Sequence, residues 1–222
     1  MSITRSAPFL STTVGKKVVM AATGVILLAF VAGHMIGNLQ IFLGAEALDH
    51  YAVFLREFLH GAGIWIARVV LLTCAVLHIW SATALTLGSW AARPVRYRMV
   101  QHVESTYAGR TMRWGGLLLG AFIVYHILHL TVGRVGLAFE EGRVYQNVVA
   151  GFRLWPVSLF YIVAQAALGL HLYHGAWSGL QTLGLSHPRW NPLRLAVALA
   201  FALVIALANI SIPVAVLAGW VK

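Results

Sequence analysis

Charge is what this sequence has least of. Only 10% of its 222 residues are Asp, Glu, Lys or Arg, against about 25% in soluble domains. A water-exposed surface cannot be built from so few charges, and with 60% of residues in the hydrophobic set a soluble globular domain is excluded. Acid is scarcer still, six Asp and Glu against sixteen Lys and Arg, and every acid falls outside the long apolar runs. That removes proton relays and cation pathways built on Asp and Glu, and di-metal carboxylate sites, which need Glu on facing helices. Cys74 is the sole cysteine. It cannot form an internal disulfide, and in an apolar run it reads as a buried structural thiol. Repeats, low-complexity tracts, flavin motifs and cysteine clusters are all missing.

What is there is a set of long apolar runs. A spanning helix needs about 20 mainly apolar residues to cross roughly 30 Å of hydrocarbon, and five segments qualify: 15–43, 63–90, 111–136, 155–183 and 193–220. In the first, Lys16 and Lys17 followed by an apolar stretch imitate a signal peptide, but the stretch runs to about Leu43, far longer than a signal core of about 7–15 residues, and is expected to be a retained helix. The expectation is an all-α integral membrane protein, residues 1–222 forming one membrane domain. Between the first two spans, Ala47, Leu48, Tyr51, Phe54, Leu55, Phe58 and Leu59 recur at helical spacing among charged positions. Residues 45–60 are therefore expected to lie as an amphipathic helix on the membrane surface. Gly115, Gly116, Gly120, Gly169 and Gly175 are expected at close helix–helix contacts.

The net charge of +10 would suit nucleic acid if it were a patch, but it is distributed by side. Arg5, Lys16, Lys17, Arg93, Arg96, Arg98, Arg110, Arg113, Arg189 and Arg194 fall at one set of helix ends. The opposite set carries Glu46, Asp49, Glu57, Glu140 and Glu141. That asymmetry follows the positive-inside rule for a cytoplasmic N-terminus and an external C-terminus, with no nucleic-acid partner.

Six histidines fall inside the apolar runs: His34, His78, His126, His129, His171 and His174. A strongly polar group in hydrocarbon is costly and is read first as functional. One such histidine often serves only a hydrogen bond between helices, but one on each of four helices at matched depths asks for more. At 1.5 Å per residue His34 and His126 lie about 12–15 Å from the external ends of their helices, and His78 and His171 roughly 22 Å. Imidazole without carboxylate or thiolate points to a macrocycle that brings four ligands of its own and needs two axial ones from the protein. Two haems, each held by a facing histidine pair, fit that demand and would form an electron path across the membrane. His126 and His129, like His171 and His174, are i, i+3 neighbours on one helix face, so spacing alone does not choose between them. His50, His60, His102 and His187 read as solvated surface side chains.

The run Gly33-His34-Met35-Ile36-Gly37-Asn38, the pair Leu77-His78, Arg113-Trp114-Gly115 leading to Tyr125-His126, and Leu170-His171 followed by Gly175-Ala176-Trp177-Ser178 resemble the cytochrome b558 membrane subunit of succinate dehydrogenase and fumarate reductase. The resemblance covers nearly the whole chain; each motif is short, and their order and spacing carry it. It implies two haem b groups, one held by His34 with His126 nearer the outside and one by His78 with His171 nearer the cytoplasm, and so selects His126 over His129 and His171 over His174. It implies a flavoprotein and an iron–sulfur subunit on the cytoplasmic face, where dicarboxylate chemistry would reside. It further implies a quinone in the membrane, menaquinone favoured over ubiquinone, and a bacterial cytoplasmic (inner) membrane location.

The basic loop Arg93-Pro94-Val95-Arg96-Tyr97-Arg98 suits such a partner or anionic lipid. Glu57 and His60 are the expected quinone region, because quinone chemistry needs an ionisable neighbour within reach of water. Haem propionates call for cations, and Arg134 or Arg153 outside and Lys17 or Arg113 inside are the expected ones. Two competing expectations remain: a dihaem cytochrome b of a hydrogenase or formate dehydrogenase, and a haem-free transporter with histidines in its substrate path.

Overall fold

The computed structural model describes residues 8–92, 95, 106–136 and 139–222, and every regular element among them is helical. Thr12 opens the first long one, its hydroxyl accepting the Gly15 N–H at 3.0 Å and satisfying one of the free donors of a helix start. Helix α1, Thr13–Asn38, tightens into a 3-10 turn over Leu39–Leu43 and stops at Gly44, whose φ of 106° suits only glycine. Helix α2, Ala45–Glu57, follows, and the chain turns through positive φ at Leu59, His60 and Gly61 into α3, Ala62–Ala91. Thr106 caps α4, Tyr107–Leu130, by accepting the Gly109 N–H at 3.1 Å. Helix α5, Val144–Phe152, is short. Helices α6, Trp155–Thr182, and α7, Asn191–Leu217, carry Pro156 and Pro192 in their first turns, where a missing N–H breaks no bond.

Helix α1 with its 3-10 turn, α3, α4, α6 and α7 are long and apolar enough to cross a membrane, which marks a multi-pass membrane protein. The surface agrees. It measures 14956 Å², whereas a compact soluble monomer of 24.2 kDa exposes about 10,000 Å². Much of the excess is large and apolar: Trp65, Leu72, Trp114 and Trp220 are all more than three-fifths exposed. Water would penalise that surface, and lipid does not.

Packing is uneven. Helix α6 carries α7, α4 and α1 around it, and α1 carries α3 on its other side. Among the spanning helices α3 leans on α1 alone and α4 on α6 alone; neither α1 with α4 nor α3 with α6 shows extended packing among the described residues. The α1/α3 couple and the α4/α6 couple thus meet along the α1–α6 seam and are parted elsewhere. The larger buried cluster gathers Ile41, Leu48, Phe122, Val149, Phe152, Tyr161 and Ile212 from six elements at one end of the bundle.

Four expectations are corrected. The third span runs Tyr107–Leu130 rather than 111–136: Thr106 starts it earlier, and Gly133 and Gly136, both at positive φ, follow its early end. His126 therefore lies four residues from the end of its helix, about 6 Å and not 12 Å. The loop after it contains α5, whose nine residues were too short for a span and had no cap to announce them. The surface helix 45–60 ends at Glu57; its Leu48 is buried, while Phe54, Leu55, Phe58 and Leu59 stay exposed. Of the five glycines expected at helix contacts, Gly169 is at a close one, an added Cβ lying 3.0 Å from the Ala206 Cβ of α7. Gly115, Gly120 and Gly175 face open space, and Gly116 meets only the His171 ring, 4.0 Å away.

Candidate functional site: two facing histidine pairs

The parted helices are bridged by imidazoles. His34 of α1 faces His126 of α4 with ring centres 5.8 Å apart and planes at 85°. His78 of α3 faces His171 of α6 at 6.3 Å and 58°. Each pair joins two helices that share no extended packing among the described residues. His78 and His171 lie at equal depth, each sixteen residues beyond the start of its helix, Ala62 and Trp155, about 24 Å along the axis. His34 and His126 lie four residues before the ends of α1 and α4, Asn38 and Leu130, so the pairs occupy two layers.

The rings differ in exposure. His34 is exposed and His78, His126 and His171 are half-buried, while His129 is the fully buried one. His129 sinks into a notch made by two glycines: an added Cβ at Gly151 would stand 2.6 Å from its ring, and one at Gly136 3.1 Å. His174, also unassigned by spacing, packs against Gly109 at the start of α4 and edge-on to Trp177. Structure thus separates the i, i+3 neighbours that share one helix face in sequence.

What holds the rings differs between layers. His78 Nδ1 lies 3.0 Å from the Met20 carbonyl and 3.3 Å from the Thr23 hydroxyl, and Thr23 donates its own proton to Val19 O at 2.7 Å. The His78 ring therefore donates from Nδ1. Gly24 makes room for it, an added Cβ falling 3.3 Å from the ring. Across the layer, His171 Nδ1 is buried without a partner among the described residues. In the other layer, His34 stacks on Phe30 at 5.2 Å. His126 Nδ1 lies 3.3 Å from the Tyr161 hydroxyl, which also stands 2.9 Å from His129 Nδ1. Tyr161 was not anticipated. An aromatic on an apolar helix reads as core, and nothing in its spacing signals the hydroxyl.

The remaining expected residues are scattered. Glu57 ends α2 and His60 follows it in a left-handed conformation; both are exposed and without side-chain hydrogen bonds among the described residues. His50 and His187 are exposed, and His102 lies outside the described residues. Arg134, Arg153 and Lys17 are exposed. Arg113 is engaged, bonding Ser89 Oγ at 3.3 Å and lying over Trp90. Of the basic loop, Arg93, Pro94, Arg96, Tyr97 and Arg98 lie outside the described residues, as does Arg5. Sequence reasoning passed over Arg194 as a ligand-holding residue. Its Nη1 donates to Leu185 O at 2.7 Å, while Nε and Nη2, with the neighbouring Trp177 Nε1, are buried donors lacking an acceptor among the described residues. Comparison with protein-family models, with curated proteins and with solved structures finds no match for this chain.

Proposed function

We propose that this chain is the dihaem cytochrome b membrane anchor of a succinate:quinone oxidoreductase, His34 with His126 and His78 with His171 each holding one haem b. The observation that carries the reading is that each of two imidazole pairs joins two helices that share no extended packing among the described residues. Metal–imidazole bonds of about 2 Å put the centres of two axial rings about 6 Å apart, and the separations of 5.8 Å and 6.3 Å fit that need. Among the described residues no three His, Cys, Asp or Glu converge, so each pair offers two ligands, the number a macrocycle asks for. A haem held by both residues of a pair would supply one-electron transfer and, with no ligand position left free, would offer no open site to oxygen.

The chain's own residues orient the ligands. The Met20 carbonyl keeps the His78 proton on Nδ1, which leaves the Nε2 lone pair for a metal and fixes the ring's rotation. The unpartnered donors of Arg194 and Trp177 would take an acidic ring substituent in the His78/His171 layer, a role that fits them better than Arg113, already bound to Ser89. Glu57 and His60, at the exposed end of α2, are the groups we assign to the quinone region. Unchanged quinol turnover in Glu57→Gln would remove Glu57 from it.

The orientation proposed follows charge: N-terminus cytoplasmic, C-terminus external, in a bacterial cytoplasmic membrane, with flavoprotein and iron–sulfur partners on the cytoplasmic face. The test is a reduced-minus-oxidised spectrum with haem quantitation on the native chain and on His34→Ala, His78→Ala, His126→Ala and His171→Ala. Two haems in the native chain and one in each variant are expected. A folded, colourless protein would overturn the reading in favour of a transporter, and copurification with a nickel or molybdenum subunit in place of a flavoprotein would move it to a hydrogenase or formate dehydrogenase.

A further inference from the structure

The Tyr161 hydroxyl is shared by two histidine side chains, and its single proton forces a direction on them. We propose that Tyr161 is a positioning residue that, together with His129, tunes the haem held by His34 and His126; this rests on the dihaem reading above. If His126 binds metal through Nε2, its own proton sits on Nδ1 and is donated to the Tyr161 oxygen, 3.3 Å away. The phenol proton must then go the other way, to His129 Nδ1 at 2.9 Å. His129 accepts it with its proton on Nε2. The chain runs His126 N–H to Tyr161 O–H to His129, each bond polarising the next.

The surroundings make this arrangement rigid. Tyr161 is 5% exposed and His129 6%. The phenol ring is boxed by Phe152 at 4.8 Å and Phe122 at 5.0 Å, both edge-on. His129 cannot swing away, because Gly151 and Gly136 close on its ring. Such a chain gives His126 partial imidazolate character, which strengthens its bond to ferric iron over ferrous iron. The other layer has no counterpart: His78 donates to a backbone carbonyl and His171 Nδ1 has no partner among the described residues.

The experiment is a redox titration of the two haems in the purified complex, with electron paramagnetic resonance of the ferric state; the His78→Ala variant identifies which signal belongs to the His34/His126 layer. Tyr161→Phe is expected to keep both haems, to shift that layer about tenfold toward the ferrous form, about 59 mV for a one-electron couple, and to leave the other haem unmoved. His129→Leu should shift the same haem in the same direction by a smaller factor. His129→Asn, whose side-chain oxygen can stand in for Nδ1 as acceptor, should restore it.

Two bound haems with an unmoved potential in Tyr161→Phe would overturn the tuning role alone. So would equal shifts of both haems, which indicate general loosening. If Tyr161→Phe does not assemble, the His129→Leu and His129→Asn pair decides in the same way. A native chain without haem overturns the dihaem reading, and this one with it.

Discussion

The two histidine layers are built from different materials. In the His78/His171 layer the one anchored ring is held by backbone: a carbonyl of α1 at Met20, with Thr23 beside it, and a glycine that lets the ring come close. In the His34/His126 layer the anchor is side chain: a phenol, a second imidazole and a box of aromatic rings. A carbonyl cannot be removed by substitution, so the first layer should tolerate most changes and fail where a side chain invades the ring's space. The second should respond by degrees to conservative changes in its partners. The net worth of each hydrogen bond is small, about 1 kcal/mol or less between membrane helices, so neither anchor decides whether the bundle folds. They decide where a ring points.

The sharpest way to break this comparison is Gly24→Leu. A Cβ there already lies 3.3 Å from His78 Cε1 and 3.6 Å from Nδ1, and three further carbons would push the ring off the Met20 carbonyl. Haem quantitation should fall from two per chain to one, with the remaining haem in the His34/His126 layer. The control is Gly33→Ala. Gly33 is the immediate neighbour of His34 but its Cβ would meet nothing within 4 Å, so both haems should stay. Loss of the haem in the other layer would show that the two sites are not separately held, and loss of neither that the space at Gly24 does not hold the His78 ring.

How far the sequence announced this arrangement depends on the kind of signal. Five spans were legible because 18 or more apolar residues have few other uses, and the layering of the rings was legible because helical rise converts position into depth. Partner choice within a layer was not legible from spacing: His126 and His129 share a face, and what separates them is Gly151, on a helix the sequence did not reveal. Tyr161 was invisible for a related reason, since its hydroxyl matters only through groups brought to it from α4. The glycines misled. Small residues permit close helix contact but do not require it, and Gly115, Gly120 and Gly175 face open space.

A smaller effect sharpens the side-chain half of the comparison. Gly151→Ala would place a methyl 2.6 Å from the His129 ring, closer than real contacts allow, so α5 or the ring must move. Overpacking of this kind costs about 1–3 kcal/mol. A lowered thermal midpoint in detergent is expected, together with a shifted potential for the His34/His126 haem and an unshifted one for its counterpart. Destabilisation with both potentials unmoved would mean that α5 is packing only and that the strain does not reach Tyr161.

The smallest change asks whether α5 itself is part of that anchor. The Asp49 carboxylate accepts the Tyr145 N–H at 2.9 Å, tying the start of α5 to α2. Asp49→Ala removes the acceptor from a half-buried bond, at about 1 kcal/mol. The loss is local, and hydrogen exchange over residues 144–152 should quicken roughly fivefold while exchange in α6 stays as it was. The end of α5 that holds His129 is at Gly151, six residues from Tyr145, where the bond is lost. A freed start with an unchanged haem potential would therefore confine the anchor to the His129 notch, and a shifted potential would extend it through α5 to α2.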